Sequence, residues 1–116
     1  MKIKTKIQVN YNDGILGTKN DFVTGVINTI NIRSDFKLFI ISYTYSDSEG
    51  NEIKNSSYSL TDVEANNLYQ SIKADLPANF SDLTEKEQLM YKYYNGFIQI
   101  MSQTFNIDKT DIEIIV

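Results

Sequence analysis

The side chains of this sequence that could do chemistry are carboxylates, lysines and tyrosines, because the chain has neither histidine nor cysteine. Without imidazole it has no serine–histidine triad, no histidine metal ligand and no acid–base group that titrates near neutral pH unaided. Without a thiol it has no thiolate nucleophile, disulfide framework or cysteine-ligated zinc. Two carboxylate groupings remain as candidates for paired acid–base work: Asp82 with Glu85, and Asp108 with Asp111 and Glu113. Their spacing is equally that of helix caps and turns, so no catalytic residue is assigned.

Three further segments resemble ligand sites without meeting their chemistry. The run Asp47–Glu52 is rich in oxygen ligands, but a calcium loop needs glycine at its sixth position and a bidentate glutamate at its twelfth, between helices. Here Gly50 stands fourth, Tyr58 stands twelfth and the flanks read as strands. Gly14–Lys19 is glycine-rich but lacks the spacing and the Gly-Lys-Ser/Thr ending of a phosphate loop. Asn55-Ser56-Ser57 and Asn79-Phe80-Ser81 match glycosylation acceptors, which matter only in a secreted chain. No metal and no cofactor is expected.

The formal net charge of -4 opposes a function driven by attraction to phosphate backbones. Tyr43 and Tyr45 have Ser, Thr and Asp as neighbours rather than basic residues, so a nucleic-acid platform is not expected. Lys2, Lys4 and Lys6 form a one-sided basic row, which on an edge strand would block unwanted pairing. Residues 1–40 carry six basic and three acidic side chains, whereas residues 41–116 carry five and twelve.

The elements that must position these residues follow from periodicity. Residues 2–11 alternate, with Ile3, Thr5, Ile7, Val9 and Tyr11 on one face, which predicts a half-buried strand. Asn12-Asp13-Gly14 predicts a turn and residues 15–21 a loop with a brief extended stretch, in which Thr18-Lys19-Asn20-Asp21 is turn-like. A strand is expected from Phe22 to Arg33, with Val26, Ile30 and Ile32 on one face, Asn28 interrupting it, and Gly25 marking a bulge or close backbone approach. Ser34-Asp35 reads as a reversal. Phe36–Ser46 is the strongest strand, bulky on both faces: Phe36, Leu38 and Ile40 on one, Phe39, Ile41, Tyr43 and Tyr45 on the other. After a hairpin loop at Asp47–Asn51, Glu52–Ser59 reads as a polar, more exposed strand.

Two capping boxes, Thr61–Glu64 and Thr84–Glu87, announce helices. The first carries the stripe Ala65, Leu68, Tyr69 and Ile72 and stops by about Asp75, ahead of Pro77. The second, over residues 85–104, has a wide apolar arc of Leu89, Met90, Tyr93, Tyr94, Phe97, Ile98, Ile100 and Met101, with Gln99 and Gln103 placed elsewhere on its circumference. Gly96 within it allows close approach of a neighbour. Residues 112–116 alternate as a closing strand.

The order predicts one α+β domain over residues 1–116: a mostly antiparallel β-meander, two helices of the C-terminal half on one face, and a final short strand. No apolar block of about seven residues opens the chain as a signal peptide would, and the apolar run Leu38–Ile41 is too short to span a membrane. A cytoplasmic chain is therefore expected, or a virion one if phage-encoded. Two helices cover one face of a small sheet, so a strand bulky on both faces leaves an apolar excess. Phe39, Ile41, Tyr43 and Tyr45, or part of Tyr91, Tyr94 and Ile98, are the expected interface with another copy or a protein partner. The strands at residues 2–11 and 112–116 are the expected free edges.

The short Lys/Asn/Ile-rich chain, its β-meander followed by compact helices, and its terminal strand resemble small virion or assembly proteins of tailed bacteriophages. That resemblance implies a subunit that forms rings or binds neighbouring virion proteins, and it carries no functional residue with it. The expected function is a non-enzymatic structural or assembly subunit that self-associates or docks into a larger complex. A regulatory or inhibitory module presenting its acidic C-terminal half to a basic partner is the alternative, with carboxylate–tyrosine catalysis third.

Overall fold

The computed structural model describes residues 2–12, 14, 17–33, 35 and 37–115. Among them run β1 (Lys2–Thr5), β2 (Val9–Asn12), β3 (Thr18–Asp21), β4 (Thr24–Ile32), β5 (Leu38–Ser46), β6 (Glu52–Thr61), α1 (Asp62–Ala74), α2 (Glu85–Phe105) and β7 (Ile112–Ile115). Single 3-10 turns occupy Phe80–Asp82 and Lys109–Asp111. The fold is α+β: an antiparallel sheet, two helices packed on one face, and a strand at the end. The main sheet has the order β6-β5-β4-β1-β7, and β2 pairs with β3 in a separate two-stranded ribbon. Phe36, Ser34, Asp13, Ile15 and Leu16, which figure in the sequence reading, lie outside the described residues.

The N-terminal alternation forms two strands rather than one. Thr5 is fully buried and ties β1 to the start of β4 through two bonds: its amide donates to the Val23 carbonyl (2.9 Å), and its hydroxyl accepts from the Val23 amide (3.0 Å). Beyond it the chain leaves the main sheet, and β2 pairs with Thr18–Asp21, a segment whose composition reads as loop. Cross-strand pairing supplies what strand propensity does not. A second consequence is that β1 lies between β4 and β7, so residues 2–5 are not a free edge and the lysine row does not guard one.

β4 contains a bulge at Asn28, where its register with β5 shifts between Ile27 and Thr29. One extra residue reverses the alternation. Ile27 therefore shares the covered face with Ile30 and Ile32, while Val26, expected beside them, turns outward and is 38% exposed. Gly25 serves close approach: a Cβ there would lie 2.8 Å from the Phe97 ring.

β5 settles where the aromatic excess goes. Along its length buried residues alternate strictly with half-buried ones. Phe39, Ile41 and Tyr45 are 0% exposed and Tyr43 is 3% exposed. These four are not an intermolecular surface; they are the core beneath the helices. α1 packs on β5 and β6, and α2 on β2, β4 and β7. Phe97 of α2 lies parallel to the Tyr45 ring at 5.9 Å and meets Tyr43 at 5.4 Å, while Phe105 meets Tyr45 at 5.2 Å. Gly96 lets the helix sit this low, because a Cβ would be 2.9 Å from the Phe39 ring. The other face of β5, Leu38, Ile40, Ser42, Thr44 and Ser46, is half-buried without a helix over it.

The helix boundaries follow the sequence with one exception. At α2 the Thr84 hydroxyl accepts from the Glu87 amide (3.2 Å) and donates to the Glu87 carboxylate (2.9 Å). Asn106 closes the helix in the left-handed region, at φ 53°. At α1 the expected capping box does not form. Thr61 is still paired with Leu38 as the last residue of β6, and Asp62, at φ 47°, turns the strand straight into the helix. A residue held extended in a ladder cannot also fold its hydroxyl over a helix terminus.

Candidate functional site

Asp82 and Glu85 are both exposed. Asp108 instead caps the turn before β7, accepting from the Thr110 amide (2.9 Å) and hydroxyl (2.8 Å), and these bonds hold its carboxyl below its ordinary pKa. Asp47 likewise spends its oxygens inside the hairpin loop, on the amides of Glu49 (3.0 Å) and Asn51 (2.8 Å). Asp21 accepts from the Ser48 hydroxyl (2.7 Å) and amide (3.2 Å), which fastens the β2–β3 ribbon to that loop and lowers its pKa. Among the described residues, no cluster of three or more acidic side chains is arranged to hold a metal ion.

The Tyr45 hydroxyl is buried with no hydrogen bond of ordinary geometry. The Thr104 hydroxyl, the polar group that interacts with it, donates to the Ile100 carbonyl (2.8 Å). Burial first, and the neighbouring Tyr43 second, raise the Tyr45 pKa far above its ordinary value. A phenol in this position is a protonated core group rather than an acid–base catalyst.

The remaining interface candidates divide. Ile98, 9% exposed, belongs to the core. Tyr91 and Tyr94 line a groove of about 360 Å³ with Leu83, Met90 and Ile114, and with Lys86 and Glu87. The surface it offers is almost entirely apolar. Tyr91 is fixed by donating to the Asp75 carbonyl (2.7 Å) and by the edge of the Phe80 ring at 5.7 Å. Burial raises the pKa of Tyr91 and of Tyr94, with the Asp75 charge adding to the effect at Tyr91. Within this groove Ile114 is 40% exposed, and Leu89, next to Met90 on α2, is 45% exposed.

Of the groove residues, Met90 belongs to the apolar arc legible in the sequence and Ile114 to the alternation of the last strand. Nothing in either pattern says that the two meet. They do so because β7 takes the outer position beside β1, under the first turns of α2. The position also leaves one side of β7 without a paired strand among the described residues. Lys6 donates to the Asp111 carbonyl (2.7 Å), which sets the alternation of the strand and turns the peptide groups of Ile112 and Ile114 away from β1. The groove thus lies along the free margin of a sheet.

No protein-family model matches the chain, and neither the curated proteins nor the solved structures contain a match to it. Among the described residues no helix is long and apolar enough to cross a membrane.

Proposed function

We propose that this chain is a non-enzymatic interaction subunit that docks into a larger assembly by taking an extended segment of a partner protein along β7. One observation carries the reading: the almost wholly apolar groove of Leu83, Met90, Tyr91, Tyr94 and Ile114 runs beside a strand with one unpaired side. An added strand satisfies the outward peptide groups of Ile112 and Ile114, and its alternate side chains fall toward the groove. Backbone pairing supplies affinity, and the groove selects apolar side chains at every second position. The other margin of the sheet, β6, is the polar sequence EIKNSSYSLT, and the cavity beside it has mixed polar and apolar walls. Such a subunit fits the resemblance to phage assembly proteins, in which neighbouring subunits are the partners.

The test uses a display library of extended peptides together with solution mass by light scattering across concentration. Enriched peptides with alternating apolar residues that bind the parent chain and not Met90→Asp support the reading. A concentration-dependent multimer dissolved by Met90→Asp makes a second copy of the chain the occupant. A monomer that binds no peptide in a groove-dependent way overturns it.

A further inference from the structure

The opposite half of α2 bounds a different kind of hollow. Between α1, β6 and the last turns of α2 lies a cavity of about 390 Å³, and beside it, between the two helices and residues 107–109, a second of about 370 Å³; the two share Ser71, Gln99 and Gln103. Gln99 is only 9% exposed, and its carboxamide makes no hydrogen bond to any described residue. Its oxygen and nitrogen are not sealed off as the Tyr45 hydroxyl is, so the little surface they keep is free to bond a ligand. What surface it has opens into both cavities. The expectation that Gln99 faces away from the covered side of the helix is therefore overturned, because α1 closes over this part of α2.

The lining defines the ligand by elimination. Leu60, Leu68 and Ile100 give one cavity apolar walls, and Asn67, Ser71 and Gln103 add uncharged donors and acceptors. Lys109, the one cation lining either cavity among the described residues, is ion-paired with Asp75, so it is a poor recruiter of a phosphate or carboxylate. The Asp108 carboxylate accepts from Thr110 at one oxygen, and Glu64, which lines the first cavity, is exposed to solvent on the first turn of α1, so each is a weak attractor for a cation and Glu64 adds an acceptor for hydroxyl groups. Among the described residues Tyr58 is the sole aromatic lining, whereas a nucleobase is held by stacking on aromatic planes. An uncharged molecule with adjacent hydroxyl groups fits what remains. A carboxamide can donate to one hydroxyl and accept from the next, while the C–H face of the ring lies on aliphatic walls. Each cavity is of the size that small-molecule sites occupy, roughly 300–1,000 Å³.

We propose that the α1–α2 cleft binds a neutral polyhydroxylated ligand of mono- or disaccharide size, with the Gln99 carboxamide pairing to adjacent hydroxyls. This site is separate from the groove at β7 and does not depend on it.

The experiment is a titration of the 15N-labelled chain with a panel of neutral mono- and disaccharides, and in parallel with uridine and adenosine, following the side-chain amide signals of Gln99 and Gln103. The expected result is saturable shifts of both with at least one saccharide at millimolar concentration. Binding should weaken at least tenfold in Gln99→Met, with a thermal midpoint equal to or above that of the parent. Gln103→Leu, at an exposed position on the cleft, should weaken binding without touching the core. Absence of saturable shifts across the panel overturns the proposal, and so does binding of the nucleosides alone. A lowered midpoint in Gln99→Met also overturns it, by showing that the carboxamide already has a structural partner.

Discussion

The two halves of α2 are built from similar residues and end in opposite surroundings. From Glu85 to Tyr93 the helix has no buried residue, and its Leu89, Met90 and Tyr91 meet solvent or a shallow groove. From Gly96 to Met101 every residue is buried, Gln99 included. The periodic pattern does not differ enough to produce this contrast. The covering elements do: α1 and the broad middle of the sheet enclose the second half, while the first half overhangs the four-residue margin strand β7. Apolar side chains on a helix become core or contact surface according to what the fold brings opposite them.

That comparison breaks most readily at Phe97. Phe97→Ala should cost about 3–5 kcal/mol, the usual loss for a buried aromatic, read by urea unfolding. A loss below about 1 kcal/mol would mean that the second half of α2 is not embedded as described. Gly96→Ala comes next. Overpacking against Phe39 should cost about 1–3 kcal/mol, offset only in part by the gain of about 1 kcal/mol in helix propensity.

In the first half of the helix the same kind of change should hardly matter for folding. Met90→Ser is expected to shift stability by about 1 kcal/mol or less, yet to weaken partner binding about tenfold or more if Met90 is a contact anchor. Stability loss as large as that of Phe97→Ala would erase the distinction between the halves.

Titration sharpens the contrast further. The raised pKa values of Tyr45, Tyr91 and Tyr94 mean that the folded chain holds these protons more tightly than the unfolded chain. Their contribution is complete below the ordinary tyrosine value of 10.0 and is lost as pH rises above it. Unfolding midpoints should therefore fall in alkali, and Tyr45→Phe should flatten that fall more than Tyr91→Phe. The smallest effect is expected in acid. Asp21 and Asp108 have lowered pKa values, so their contribution is present above the ordinary value of 3.8 and is lost as pH drops below it. Asp21→Asn should make the acid limb of the stability profile shallower.

Much of this architecture is written in local pattern. Alternation marks β5 and β7, the Thr84–Glu87 box marks the start of α2, Pro77 follows the end of α1, and together they fix the α+β order. Sequence also removes thiol and imidazole chemistry outright, because those residue types are absent. Tertiary structure decided the rest, since burial and pairing depend on partners far away in the chain. Phe39, Ile41, Tyr43 and Tyr45 read as surplus until α2, lowered onto the sheet by Gly96, covers them. Thr18–Asp21 reads as loop until β2 lies beside it, and Thr61 reads as a helix cap until the β5 ladder holds it extended. Gln99 reads as solvated until α1 closes over it, and Ile114 joins Met90 only because β7 takes the margin of the sheet. A side chain's identity and period are local properties, whereas its exposure belongs to the whole fold.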